Sequence, residues 1–202
     1  INLSKLSIAP RGSVTFTIAG RIKDTVLGTF THTSTLIDNA NISYVQTARL
    51  NPQSATIVKS KVISKLNGVA FTNGMTYKPG DTVEYLITIN NTGGGFYNNL
   101  TITDNLDSVT SLLNTGSAGS SLENITITTA KTDGRTYLRT PPASGARVIN
   151  TSSDLSPGGN ITFTIDGNIK ATSMGTVAAN TVSVAGNNVS TSVINPKAAL
   201  IS

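Results

Sequence analysis

Two stretches of the 202-residue sequence match each other without gaps at a constant offset of 147 residues. APRGSVTFTIAGRIKDTVLGT (9–29) aligns with SPGGNITFTIDGNIKATSMGT (156–176). Identical pairs include Pro10/Pro157, Gly12/Gly159, Phe16/Phe163, Gly20/Gly167, Lys23/Lys170 and Gly28/Gly175. The match weakens at 41–43 and 188–190, and an Asn-Pro element then follows in both copies, at 51–52 and 195–196. A repeat of this length indicates a modular fold, and each module must bury its own core.

The order of the repeated segments predicts where the modules begin and end. We expect residues 1–50 to be the C-terminal part of a first module, incomplete or completed by a strand from elsewhere. Residues 51–194 would be a complete module, and 195–202 the start of a further module or a tail. The sequence opens in the middle of the pattern, as expected for an excised part of a tandem array. With three or four predicted strands, residues 1–50 would need a packing partner.

Alternating hydrophobic residues and abundant Thr, which is β-branched, predict an all-β protein. KPGDTVEYLITINNTG (78–93) is the clearest case, with turn residues on both sides of an alternating run. The predicted strands of the complete module are 57–64, 82–89, 99–104, 124–129, 160–166, 176–184 and 189–193. We expect loops at 105–121 and 130–159. Seven or more short antiparallel strands in one module are typical of a β-sandwich, and the repeat indicates that such modules are arranged in tandem.

The composition argues against several classes of function. Charged residues are 12% of the chain and the net charge of +5 is dispersed, with 59–65 the only local concentration of lysines. Nucleic-acid binders cluster basic residues and often interleave aromatics, so no nucleic-acid partner is expected. Without Cys there can be neither a disulfide nor a thiolate metal site. No apolar run approaches the length of a membrane span, and no signal-peptide pattern opens the sequence, so membrane insertion is not expected.

Catalytic patterns are also missing from the sequence. The sole histidine, His32, aligns with Ala179, and no G-x-S-x-G or phosphate-binding glycine motif occurs. The three glycines at 93–95 lead to an aromatic pair and not into a helix. The aspartates at 104 and 107, and at 154 and 166, lack calcium-loop spacing and are better suited to turn capping. We therefore predict no enzyme, no catalytic residue, no cofactor and no metal.

One covalent reaction fits the strand pattern. Lys61 shares its strand face with Ile63, and Asp104 shares its face with two hydrophobic residues, Leu100 and Ile102. Asn180 shares its face with valines, so all three polar side chains are predicted to point inward. Several extracellular immunoglobulin-like modules join a Lys to an Asn by an isopeptide bond, with a carboxyl group assisting. The alternative is that Lys61 reaches solvent while the other two satisfy turn or backbone hydrogen bonds.

Other residues also bear on the crosslink. The alternates for the crosslink are Lys65 and Glu84. The first copy has Thr33 in place of Asn180, so it could not form the same bond.

N-x-S/T sequons predict possible N-glycosylation sites. They lie at Asn2, Asn41, Asn90, Asn99, Asn124, Asn150, Asn160 and Asn188. Because Asn, Ser and Thr are abundant, eight sequons are only a mild excess over chance.

Five segments together resemble the DUF11 repeat family. They are KVISKLNG (61–68), PGDTVEYLITINNTG (79–93), NNLTITDNL (98–106), SPGGNITFTI (156–165) and GTVAANTVSV (175–184). The likeness spans essentially all of 51–194, and 1–45 resembles the C-terminal half of a second copy. One departure is Asp107, where that family usually has a proline. The resemblance implies immunoglobulin-like tandem modules of large prokaryotic surface or adhesin-like proteins, and a structural or adhesive role without catalysis.

Three functions follow as hypotheses. The first is an extracellular, cell-surface structural or adhesive repeat that forms a stalk or surface fibre and contacts neighbouring modules or a host or surface ligand. The second is a polymerising subunit of a pilus-like filament or biofilm fibre, joined to identical subunits by strand complementation. The third is a carbohydrate- or ligand-binding module, for which Phe96 and Tyr97 are the only adjacent aromatic pair.

Overall fold

The computed structural model describes residues 7–20, 29–38, 40–51, 53–109, 121–132, 136–143, 145–173 and 175–198. Within these ranges the regular structure is β-strand apart from one short 3-10 helix, Leu106–Ser108, so the all-β prediction is confirmed. The strands are β1 (Phe30–Ile37), β2 (Ser43–Leu50), β3 (Ile57–Leu66), β4 (Val69–Ala70), β5 (Thr76–Tyr77), β6 (Thr82–Asn91), β7 (Tyr97–Asn105), β8 (Leu122–Lys131), β9 (Tyr137–Leu138), β10 (Val148–Leu155), β11 (Asn160–Ile169), β12 (Thr181–Val184), β13 (Asn187–Ser190) and β14 (Asn195–Pro196).

Contacts divide the chain into two units, Ile1–Asn51 and Pro52–Ser202. The second unit contains two five-stranded sheets, in the orders β4-β3-β6-β11-β8 and β13-β12-β7-β10-β9. All pairs within these sheets are antiparallel. Hydrophobic side chains from both sheets form one core cluster, as in a β-sandwich.

The alternating stretch at 78–93 forms the turn into β6 and the strand itself. Its residues Val83, Tyr85, Ile87 and Ile89 are all buried, while the residues between them are only partly buried. β6 pairs along its length with β3 on one side and β11 on the other. The strand is therefore central to its sheet, which explains why its pattern is so regular.

One predicted loop region contains a strand of the core. Residues 130–159 were expected to be loop-rich, and this is wrong for Val148–Leu155, which forms β10 between β7 and β9. Its inward positions are two hydrophobic residues, Ile149 and Leu155, with two small hydroxyl residues, Thr151 and Ser153, between them. The two hydroxyl residues interrupt the hydrophobic alternation, so the pattern did not predict a strand.

The last two predicted strands correspond to β12 and β13, and both are shorter than predicted. β12 begins later than predicted, and β13 ends earlier. The segment predicted as 176–184 is a strand only at Thr181–Val184, preceded by a single bridge between Val177 and Ile194. The segment predicted as 189–193 is Asn187–Ser190. The two strands form a hairpin with a two-residue turn, Ala185–Gly186, and both turn residues have positive φ. That geometry is typical of tight hairpins and fixes the register of the strands.

The glycines at 93–95 have a packing role. A Cβ atom on Gly93 would lie 2.4 Å from the carbonyl oxygen of Ser54, and one on Gly95 would lie 1.8 Å from that of Gln53. The backbone at 53–56 thus passes directly against this loop, and Thr92 N donates to Thr56 O at 2.8 Å. Only glycine allows two backbone segments to approach so closely.

The described residues of the first unit contain fewer strands than the sequence predicts for the whole unit. Its described residues form one hairpin, β1 with β2, whereas three or four strands were predicted for 1–50. Residues 13–20 carry the alternating sequence of β11 but are not a strand. In the second unit β11 lies between β6 and β8, and the first unit contains no counterparts of those two strands among its described residues. An alternating segment without neighbours has no ladder partners for its backbone.

Candidate functional site

Lys61 lies in the middle of β3 with its side chain in the core. It is opposite Ile87 of β6, and its side chain has no solvent exposure. The Lys61 Nζ lies 5.8 Å from the ring centroid of Tyr85. The inward orientation predicted from strand parity is therefore observed, and the lysine does not reach solvent. A lysine so completely buried requires a compensating partner.

Asp104 on β7 supplies that partner from the other sheet. Its Oδ2 accepts a short hydrogen bond from Lys61 Nζ, and the carboxylate side chain is also fully buried. The second carboxylate oxygen, Oδ1, has no hydrogen-bond partner. The ion pair therefore bridges the two sheets through the core and leaves one polar atom unsatisfied.

Asn180 directly precedes β12, the strand that pairs with the strand of Asp104, β7. Val182 is the direct cross-strand partner of Asp104, so Asn180, two residues earlier, is on the same inward face in the diagonal position. Diagonal neighbours across two strands are about 7–8 Å apart between Cα atoms. The side chain is fully buried, and neither Nδ2 nor Oδ1 has a hydrogen-bond partner. Only its backbone is paired, with Thr191.

Burial shifts the pKa values of the pair in the direction that favours a reaction. Desolvation lowers the pKa of Lys61 from 10.5 to about 8, although the negative charge of Asp104 opposes the change. Desolvation raises the pKa of Asp104, opposed by the positive charge of Lys61. Both effects favour the neutral forms, an amine and a carboxylic acid. A neutral amine is a nucleophile, and a carboxylic acid can donate a hydrogen bond to an amide oxygen.

Tyr85 is a member of this site that strand parity identified only as a core residue. Its hydroxyl group is buried and has no hydrogen-bond partner. Burial raises the pKa of this hydroxyl, and the nearby negative charge of Asp104 raises it further. Four unpaired polar atoms thus belong to three neighbouring core side chains: Tyr85, Asp104 and Asn180. Because buried polar groups are nearly always hydrogen-bonded, such a group requires an explanation.

The alternates for the crosslink lie at the surface. Lys65 Nζ is 2.7 Å from Glu84 Oε2, and the lysine side chain is about half exposed. Ser64 Oγ donates to the other oxygen of Glu84 at 2.6 Å. The pair raises the pKa of Lys65 and lowers that of Glu84, so both charged forms are favoured. This is an ordinary surface ion pair and not a site for amide formation.

The predicted glycosylation positions divide into two groups. The exposed sequon residues are Asn41, Asn99, Asn124, Asn150 and Asn188. Asn90 and Asn160 are half-buried on neighbouring strands, and Asn160 Nδ2 donates to Asn90 Oδ1. N-glycosylation of Asn160 would replace one of the two hydrogens on the Nδ2 that donates this bond. Asn2 lies outside the described residues. The sites remain predictions.

The other residues considered for chemistry have structural partners. His32 is exposed on β1, with Nε2 3.1 Å from Ser34 Oγ. Asp107 accepts from Arg147, while Asp154 accepts from Arg139 and from the backbone of Asn99. In the part of the chain that the structure describes, no three His, Cys, Asp or Glu side chains are placed to hold a metal ion. Nor does that part contain a helix long and apolar enough to cross a membrane.

Comparison with protein-family models and with curated proteins found no match to this chain.

Proposed function

We propose that this chain is a structural repeat of an extracellular, cell-surface stalk or fibre, and that an isopeptide bond between Lys61 and Asn180 locks its second unit. The buried, unpaired amide of Asn180 beside the Lys61–Asp104 pair is the observation that supports this best. The resemblance to the DUF11 repeat family supports the surface location. No turnover of a substrate is part of this proposal.

The proposed reaction needs only these side chains. Neutral Lys61 Nζ attacks Cγ of Asn180 while Asp104, as the acid, donates a hydrogen bond to Oδ1 and stabilises the developing negative charge. The C–Nδ2 bond breaks as the Nζ–C bond forms. One proton leaves Nζ and is taken up by the departing Nδ2 group, which is released as ammonia. The product is a secondary amide whose oxygen, the former Asn180 Oδ1, accepts from the Asp104 carboxyl group, while Nδ2 leaves with the ammonia.

Such a bond would join the two sheets covalently. Lys61 belongs to the sheet with β6 and β11, whereas Asn180 precedes β12 of the other sheet. The unfolded chain would be constrained by a loop running from residue 61 to residue 180, and closing a loop of that length removes much conformational entropy, by the argument used for disulfides. A protein without cysteine would gain the benefit of a crosslink by this route.

Intact mass spectrometry tests the crosslink. The purified chain should be lighter than its sequence mass by about 17 Da, the mass of one ammonia, because amide formation is a covalent modification. Lys61→Met, Asp104→Asn and Asn180→Ala should each restore the full mass. Lys59→Met is the matched control, since Lys59 Nζ bonds only the backbone carbonyls of Val184 and Asn187, at 3.1 and 3.2 Å. A wild-type chain of unshifted mass would rule out the bond.

The second candidate is a polymerising filament subunit joined to identical chains by strand complementation. Large hydrophobic residues of the first unit that are exposed, such as Phe16 and Ile18, favour it. Electron microscopy and sedimentation of the concentrated chain test this function. Fibres that grow with concentration would support the filament, whereas monomers throughout would favour the stalk.

A further inference from the structure

We infer that the described parts of 7–50, namely 7–20, 29–38 and 40–50, close a β-sandwich whose other strands come from the polypeptide directly N-terminal to them, a segment equivalent to residues 57–155. This inference deepens the proposed repeat role and rests on it only in treating the chain as part of an array. It does not depend on the crosslink.

The exposed side chains of the first unit are the first observation. Six of its large hydrophobic residues are 42–63% exposed, and their counterparts in the second unit are at most 1% exposed. The pairs are Val14/Ile161, Phe16/Phe163, Ile18/Ile165, Phe30/Val177, Ile37/Val184 and Leu50/Ile194. Each of these first-unit residues is therefore of a type that is buried in the second unit, yet it is exposed. Exposed hydrophobic residues in this number mark a surface that another segment covers.

The hairpin register is the second observation. Phe30 pairs with Leu50, and Val177 pairs with Ile194. At the turn end Ile37 pairs with Ser43, and Val184 pairs with Asn187. Residues of the first strand of each hairpin correspond at an offset of 147, and residues of the second strand correspond at an offset of 144. The two hairpins therefore share one register, and the turn of the first is longer by three residues. The first hairpin therefore has the same register as the β12–β13 hairpin. In the second unit, that hairpin belongs to a five-stranded sheet because β12 pairs with β7.

A shared turn identifies which chain supplies the missing strands. Gly12 N donates to Ala9 O at 2.8 Å, and Gly159 N donates to Ser156 O at 2.8 Å. The third residue of each turn has positive φ, 61° at Arg11 and 73° at Gly158. In the second unit this turn links β10 to β11. By the same offset of 147, Ser7 and Ile8 correspond to Asp154 and Leu155 at the end of β10, and this correspondence assigns the missing strands to the same polypeptide.

A second copy of this chain does not provide the partner. In the second unit β11 already occupies the position between β6 and β8, paired with both. The segment 13–20 could enter there only by displacing β11. The partner must therefore be a segment with strands like β3, β6, β7, β8 and β10 that lacks its own β11.

The chain itself can supply a test partner. Joining a copy of residues 52–147 in front of Ile1 places Ile1 where Val148 normally follows, because the repeat offset is 147 residues. Hydrogen exchange then compares the extended and original full chains. We expect the amides of residues 13–20 to exchange about 100-fold more slowly in the extended chain, because they gain ladder partners. Unchanged exchange there, with the second unit still protected, would overturn the inference.

Variants keep the test specific to the hydrophobic face. In the extended chain Phe16→Asp should abolish the new protection, and Thr17→Asp should preserve it, since the counterpart Thr164 lies on the outer face of β11. If protection arises in the original chain on concentration, with oligomers, a second copy is the partner and our assignment is wrong. Thr33→Asn in the extended chain separates the two proposals, because Thr33 corresponds to Asn180. If residues 13–20 are protected but the mass does not fall by a second loss of ammonia, the result supports this inference and counts against the crosslink.

Discussion

At the scale of single residues, the polar groups in the core matter most for stability. Asn91 ends β6 and is 1% exposed. Its Oδ1 accepts from the backbone of Thr56 and Gly93, both at 3.1 Å. Its Nδ2 donates to the carbonyls of Gly95, Leu155 and Ser156. One side chain therefore satisfies backbone groups from three separate segments, a role that its place in a turn-like sequence did not indicate.

We predict that Asn91→Ala lowers the free energy of unfolding by about 3 kcal/mol or more, because several buried backbone groups lose their partners at once. Urea denaturation measures the change. Asn90→Ala is the matched control on the preceding residue, whose half-buried side chain bonds Asn160 and whose backbone pairing the substitution leaves in place. Its expected cost is below about 1 kcal/mol. Equal losses in the two variants would contradict the role assigned to Asn91.

The buried lysine predicts a dependence of stability on pH. In Asn180→Ala, which cannot crosslink, Lys61 keeps its pKa of about 8 when folded and about 10.5 when unfolded. Between these values the unfolded state binds more protons, so stability should rise with pH, by about 1.4 kcal/mol per unit at most. Unfolding free energies from pH 7.5 to 10.5 test this. The double variant Lys61→Met, Asn180→Ala should lack the rise, and its presence there would assign the effect to another group.

At the scale of elements, β11 and its copy at 13–20 show how one local sequence behaves with and without neighbouring strands. Both contain the letters TFTI, yet Phe163 is fully buried and Phe16 is 52% exposed. The difference comes from the neighbours of each segment, since β11 has a strand on both sides. Local sequence thus set the pattern of side chains, while pairing partners decided whether a strand formed.

We predict that Phe163→Ala lowers the free energy of unfolding of the second unit by about 3–5 kcal/mol, the usual cost of removing a buried aromatic ring. Phe16→Ala, the same change in the same local sequence, should cost less than about 0.5 kcal/mol because the ring is exposed. Thermal and urea denaturation of the two variants give the comparison. A large loss in Phe16→Ala would show that Phe16 is packed in solution.

Strand parity predicted much of this architecture and the inward direction of Lys61, Asp104 and Asn180. It failed for β10, where Thr151 and Ser153 occupy inward positions, because hydroxyl residues can be buried once their hydrogen bonds are met. Ser153 Oγ donates to Tyr137 O at 2.8 Å, a contact 16 residues away. No local pattern contains such a partner. The neighbourhood of Tyr85 and the bonds of Asn91 were missed for the same reason.

At the scale of the whole molecule, the two units should differ in resistance to proteolysis. The second unit has two paired sheets over one core, whereas the described part of the first has a single hairpin, which is marginal in water. We predict that trypsin cuts first at Arg11 and Arg49, both exposed, while Lys61 stays intact because it is buried. Mass spectrometry of timed digests measures the order. Early cleavage after Lys61 would contradict the packing described here.

The replacement of Asn180 by Thr33 in the first copy has a consequence for a fibre made of such modules. A hydroxyl group cannot take the place of the amide that a lysine attacks, so under our proposal some modules would be locked and others not. A pulled fibre would then lengthen in two regimes. Unlocked modules would unravel at moderate load, dissipate energy and refold on release, while locked modules would hold their length and set the limit of extension.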